Sequence, residues 1–139
     1  MKFKTVLWLL AGAFALLIGG GFLWWRKHGP ELMQKAKLAI DEGHALGLRA
    51  NGLQCVDSTL SQLDPKEPKL GSTVRLGLFF RSCAEKSSGL PAICAQDTSS
   101  SLMGRMRWIQ RVCKERGVSN PMCPSVLNPL AELCTRKHL

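Results

Sequence analysis

The chain has 139 residues and a mass of 15.3 kDa, room for one small domain. It carries 19 Lys and Arg against 10 Asp and Glu, for a formal charge of +9, with six cysteines and 45% hydrophobic residues. That balance excludes a multidomain enzyme, a disordered tail and a collagen-like fibre, and it names no reaction.

The charge is unevenly spread. Residues 1–28 hold four cations and no acid, and residues 29–97 hold eight of each. Residues 98–139 hold seven cations against Glu115 and Glu132. The excess therefore lies at the two ends, and the middle is neutral.

After a short flank, residues 1–4, the 21 residues 5–25 contain no charge. About 20 apolar residues rising ~1.5 Å each cross a hydrocarbon core ~30 Å thick, and only a helix satisfies its own backbone there. Trp8 at one end and Trp24 and Trp25 at the other suit the interfacial belts, and Arg26, Lys27 and His28 close the segment. A cleaved secretory signal would end a shorter apolar run at a small-residue site. Cutting after Ala13 or Ala15 would leave a greasy new terminus, and cutting after Gly21 would be less awkward; the reading adopted is an uncleaved signal-anchor. Ala11, Ala15 and Gly19 recur every four residues, with Gly12 and Gly20 beside them. Small residues so spaced let a second transmembrane helix approach closely, although Ala and Gly are common in spans.

Two rules disagree on topology. Lys2 and Lys4 precede the span, whereas Arg26, Lys27, Lys35 and Lys37 follow it. That count puts the following residues in the cytoplasm, with reduced cysteines. All six cysteines (Cys55, Cys83, Cys94, Cys113, Cys123 and Cys134) come after the span. An even set on one side of a membrane indicates three disulfides in an oxidising compartment. Long domains translocate largely regardless of charge, so the cysteines decide. The expectation is a cytoplasmic amino terminus and an extracytoplasmic domain, periplasmic or extracellular, over residues 26–139.

Beyond the span a helix starts at Pro30, where proline is favoured in a first turn, and it can run straight on from the span. Leu32, Ala36, Ala39, Ile40, Gly43, Leu46 and Gly47 share one of its faces, a narrow stripe whose partner should pack close. A second helix covers residues 53–63, with Leu53, Val56, Leu60 and Leu63 inward. Residues 64–68, Asp-Pro-Lys-Glu-Pro, form a loop. Residues 71–86 alternate like a strand at Val74, Leu76 and Leu78, but Leu76, Phe80, Cys83 and Ala84 also share a helical face. Helix is the reading, because no second strand exists to pair. Residues 87–91 end it. Cap oxygens at residues 97–101 open a fourth helix to Arg116, with Leu102, Met106, Ile109 and Cys113 inward and Gly117 as its stop. A last helix starts near Pro124, bends at Pro129, and carries Val126, Leu127, Leu130, Leu133 and Cys134. The fold expected is all-α: one N-terminal transmembrane helix, then a small disulfide-stapled bundle of about five helices.

The cysteine intervals are 28, 11, 19, 10 and 11 residues, with no Cys-x-x-Cys. That removes the usual thioredoxin-type pair, zinc knuckles and c-type haem attachment. The six are read as buried staples, with a thiol-based redox enzyme or chaperone as the alternative. Connectivity stays open, save that Cys123 and Cys134 bracket about three helical turns, ~16 Å, against a bridge limit of ~7 Å between Cα atoms.

Arg107, Arg111 and Lys114 follow i, i+4, i+7 on the fourth helix, opposite its apolar face, with Arg105 and Arg116 flanking the core side. They offer a basic patch for an acidic partner, an anionic lipid headgroup or an envelope polymer. A solvated helix face reads the same way. Trp108 borders the patch, at the rim of the core. Nucleic acid is not expected. His28, His44 and His138 lie apart, Asp41 and Glu42 point about 100° apart on a helix, and no catalytic or cofactor motif is present. The expected function is binding or assembly in the cell envelope, as an accessory subunit of a membrane complex. Its partners would be membrane lipid and another membrane or envelope protein, or a second copy of the chain.

Overall fold

The computed structural model describes residues 3–95 and 102–136. Lys2, the cap oxygens expected at residues 97–101, Lys137 and His138 lie outside the described residues. The chain is all-helical, with α1 Phe3–Gly47, α2 Gly52–Ser61, α3 Leu70–Lys86, α4 Leu90–Ala95, α5 Leu102–Glu115, α6 Cys123–Leu127 and α7 Pro129–Arg136. No strand forms among the described residues, and one isolated parallel bridge joins Asn51 to Ser88. Two compact units divide the chain, one ending at Lys35 and one beginning at Ala36.

In the first unit, every residue from 5 to 25 is exposed. Water does not tolerate a continuous apolar surface of that size. This helix is long and apolar enough to cross a membrane. It does not restart at Pro30 but runs through it, so the Arg26 carbonyl lacks its usual i+4 donor. Gly29 is buried under the Trp25 indole; a Cβ there would lie 3.2 Å from that ring. The Trp24 and His28 rings sit one turn apart, with centroids 5.3 Å from each other.

In the second unit, the last turns of α1 run alongside α3. Residues four apart on α1, Gly43 and Gly47, meet the carbonyls of Phe79 and Cys83, also four apart and in the same order, so the two segments are parallel. Ser82 Oγ donates to the Ile40 carbonyl at 2.8 Å. The small-residue stripe thus does find a closely packed partner through Ala39, Gly43 and Gly47, all buried. Leu32 and Ile40, assigned to that stripe, are exposed, because the contact face centres on the glycines.

An Asn51–Gln54 capping box opens α2: Gln54 N–H donates to Asn51 Oδ1 at 2.9 Å, and Asn51 N–H to Gln54 Oε1 at 2.8 Å. Val56, Leu60 and Leu63 are inward as expected, whereas Leu53 is exposed in the first turn. The strand alternative for residues 71–86 fails. α3 buries Thr73, Leu76, Phe79, Phe80, Cys83 and Ala84 on helical spacing, and Val74 is exposed. The six-residue α4 occupies what reads as a terminator, since Gly89 takes a positive φ of 80° before it and Pro91 fits its first turn.

Helix α5 ends as Gly117 implies. With φ 64°, Gly117 donates to Lys114, and Val118 N–H reaches back to Cys113 at 3.0 Å, a Schellman pair. Its core face is rotated from the expected one. Trp108, Ile109, Val112 and Cys113 are buried, Met106 is half-buried, and Leu102 is exposed. Trp108, placed at the rim by the sequence, is only 5% exposed. The last expected helix is two, α6 and α7, divided at Asn128 and Pro129. Buried Asn120 ties the connection before α6 to the loop before α3. Its Nδ2 donates to the Asp64 carbonyl, and its Oδ1 accepts from Met122 N–H at 2.8 Å.

Three disulfides join the helices: Cys55–Cys83 links α2 to α3, Cys94–Cys134 links α4 to α7, and Cys113–Cys123 links α5 to α6. Each of the six helices after α1 enters one bridge. Cys123 and Cys134 go to different partners, as expected, although the single helix on which that expectation rested is divided in two. The fully buried Leu76, Phe80, Ile109, Leu127 and Leu130 fill the space between the staples.

Candidate binding surface

Among the described residues no cysteine is free. None of them gathers three or more His, Cys, Asp or Glu able to hold a metal ion. His44, Asp41 and Glu42 are all exposed on α1 and converge on nothing. The carboxyl of Glu31, exposed one turn before Lys35, is held below the usual carboxylate range by its 2.7 Å contact with that ammonium. This is a solvated i,i+4 pair. A shallow cleft of about 440 Å³ between the end of α1 and α2 is lined by Leu46, Arg49, Ala50, Gln54, Asp57 and Ser58. Its one carboxylate, Asp57, already pairs with Arg116.

The structure brings the basic residues of α5 together as a surface. Arg107, Arg111 and Lys114 are all exposed on the side opposite Ile109 and Val112. The flanking cations are not part of that face. Arg116 is half-buried and engaged by Asp57, and half-buried Arg105 has its Nε enclosed without a hydrogen-bond partner among the described residues. Further on, Arg136 is spent on Glu132, at 2.6 Å, which also takes Arg81 at 3.4 Å. The described C-terminal cations therefore do not share one surface, and Arg107, Arg111 and Lys114 lie together on the exposed face of α5.

The sequence missed what adjoins that face. Met103 lies one turn before Arg107 on the same side and is 65% exposed, and Leu102 beside it is 62% exposed. The four-residue step from Met103 to Arg107 was legible; the rotation of the core face that turns Met103 outward was not, and Leu102, on the core side, is exposed at the start of the helix.

In the apolar segment of α1, Ala11, Ala15 and Gly19 lie along one exposed stripe. A Cβ added at Gly12, Gly19 or Gly20 would meet nothing within 4 Å. Compared with protein-family models, with curated proteins and with solved structures, the chain matches none.

Proposed function

We propose that the chain is a single-pass membrane protein whose helical domain stands on the disulfide-forming side of the membrane and works by binding. In this reading it is an accessory subunit of a membrane or envelope complex. The staple pattern carries the reading. Every helix from α2 to α7 enters one bridge, and no thiol is left free among the described residues. Disulfides persist in oxidising compartments. A pre-ordered surface loses less entropy on association than a loose one, which suits recognition. The apolar stretch of α1 supplies the anchor.

The test is alkaline phosphatase fused after Leu139. An active fusion is expected; an inactive one puts the domain in the cytoplasm and overturns the topology. Non-reducing mass spectrometry of protein isolated from membranes should find all six cysteines blocked to alkylation. A reactive thiol would favour exchange chemistry instead. On native gels of mild-detergent extracts the chain should migrate in a species larger than its monomer, and a monomer alone refutes the assembly role.

A further inference from the structure

We propose that the exposed face of α5 docks on an anionic bilayer surface, with Met103 entering the interface and Arg107, Arg111 and Lys114 taking the headgroups. The inference deepens the reading above, resting on its anchor but not on its topology.

Three observations carry it. First, the cations are placed for a plane. Positions 107, 111 and 114 follow helical spacing on one exposed side, and the one acid of the helix, Glu115, stands at its far end, one turn from Arg111. The helix keeps a cationic surplus, and each basic group near an anionic membrane adds about fivefold to the affinity. Second, an apolar residue stands where an interfacial helix needs one. Met103 continues the line of cations one turn towards the start of α5 and is 65% exposed. A bilayer rewards both together, apolar side chains at the headgroup boundary and cations beside them. Third, α1 tethers the domain. Connectivity to a span confines α5 to the neighbourhood of a membrane, so a contact too weak for a free protein is sufficient.

Methionine oxidation tests this on the intact chain. Met33 is 64% exposed and carries no part of the proposed face, so it serves as an internal reference for Met103. The full-length protein is reconstituted in phosphatidylcholine nanodiscs and in nanodiscs with phosphatidylglycerol mixed in. Both are treated with peroxide, and sulfoxide at each site is read by mass spectrometry. In the anionic discs the Met103 rate, relative to Met33, should fall by about threefold or more, the slowing set by the fraction of time the face is docked. High salt on the unmodified chain should restore the rate. So should the combined variant Arg107→Glu, Arg111→Glu and Lys114→Glu, checked for an intact Cys113–Cys123 bridge. Equal rates in the two kinds of disc overturn the proposal, as does slowing that salt leaves untouched. Slowing in native membranes but not in anionic discs also overturns it and assigns the face to an acidic protein. A nanodisc presents the same lipid on both sides, so an inverted topology would leave these results unchanged while silencing the phosphatase fusion.

Discussion

Replacing Gly43 with Ala asks whether the approach of α1 to α3 is as close as the backbone implies. The new Cβ would sit 2.3 Å from the Phe79 carbonyl oxygen and 3.1 Å from Ser82 Cβ. Reaching an ordinary contact of about 3.3 Å means a retreat of about 1 Å, and the obstacle is backbone that cannot rotate away. That retreat stretches the bond from Ser82 Oγ to the Ile40 carbonyl, now 2.8 Å. Overpacking of this kind costs about 1–3 kcal/mol, and the strained hydrogen bond adds about 0.5–1.5 kcal/mol. Alanine's better helix propensity returns about 1 kcal/mol. The net expectation is about 0.5–3.5 kcal/mol of destabilisation. Gly47→Ala meets the Cys83 carbonyl at 2.4 Å and should behave alike. One displacement of α1 relieves both clashes, so the double variant should cost less than the two singles together. Gly77→Ala is the control. Its Cβ would lie 3.9 Å from the Val126 carbonyl, so propensity alone acts and the domain gains up to about 1 kcal/mol. Urea unfolding of the full chain in non-ionic detergent, with Trp8, Trp24 and Trp25 changed to Phe, leaves buried Trp108 as the reporter. If Gly43→Ala gains stability as Gly77→Ala does, the close parallel packing is refuted.

The same assay checks the other expectations. Removing each bridge as a pair of alanines should cost about 4 kcal/mol for Cys94–Cys134, slightly less for Cys55–Cys83 and about 3 kcal/mol for Cys113–Cys123, the order of their 40-, 28- and 10-residue separations. A reversed order would tie the staples to native-state packing rather than to loop closure. Asn120→Ala strands the Asp64 carbonyl and the Met122 N–H and should cost about 1–3 kcal/mol; a neutral result would show that water replaces both bonds. Gly117→Ala forces a side chain into φ 64° and should cost about 1–2 kcal/mol, with fraying of the last turn of α5 visible by hydrogen exchange. In a membrane two-hybrid assay, Ala15→Leu with Gly19→Leu should weaken association of the span; unchanged signal removes the small-residue stripe as a packing face.

Much of this fold could be read from local signals. Gly117 marked its helix end, Gly43 and Gly47 announced a close neighbour, and Phe80 and Cys83 fixed the face of α3. What escaped depended on partners distant in sequence. The stripe on α1 did not say which helix it would meet, and six cysteines do not state their pairing. α4 was hidden because Gly89 and Pro91 look like breakers, although one makes the entry turn and the other sits where a helix needs no N–H. The face of α5 was misjudged because Leu102 was taken to anchor the apolar stripe. The helix instead turns Trp108 and Val112 to the core and leaves Leu102 and Met103 outside. The same rotation decided the candidate site: cations were visible in the sequence, and their apolar neighbour became visible only once the helix was packed.

The bridge pattern also governs how the chain must mature. Cys55 and Cys83 are neighbours in order of synthesis, but Cys94–Cys134 encloses Cys113–Cys123. An oxidant that joined cysteines two by two as they emerged would make the first bridge correctly. It would then join Cys94 to Cys113 and Cys123 to Cys134, both wrong. Reaching the native set therefore requires either that Cys94 wait for the last helix or that mispaired bonds be reshuffled, a process of seconds to hours unless catalysed. On the second route a cell that makes this protein needs to isomerise disulfides as well as form them, and loss of isomerisation should trap it with one native bridge and two misplaced ones; on the first, its maturation is indifferent to that loss.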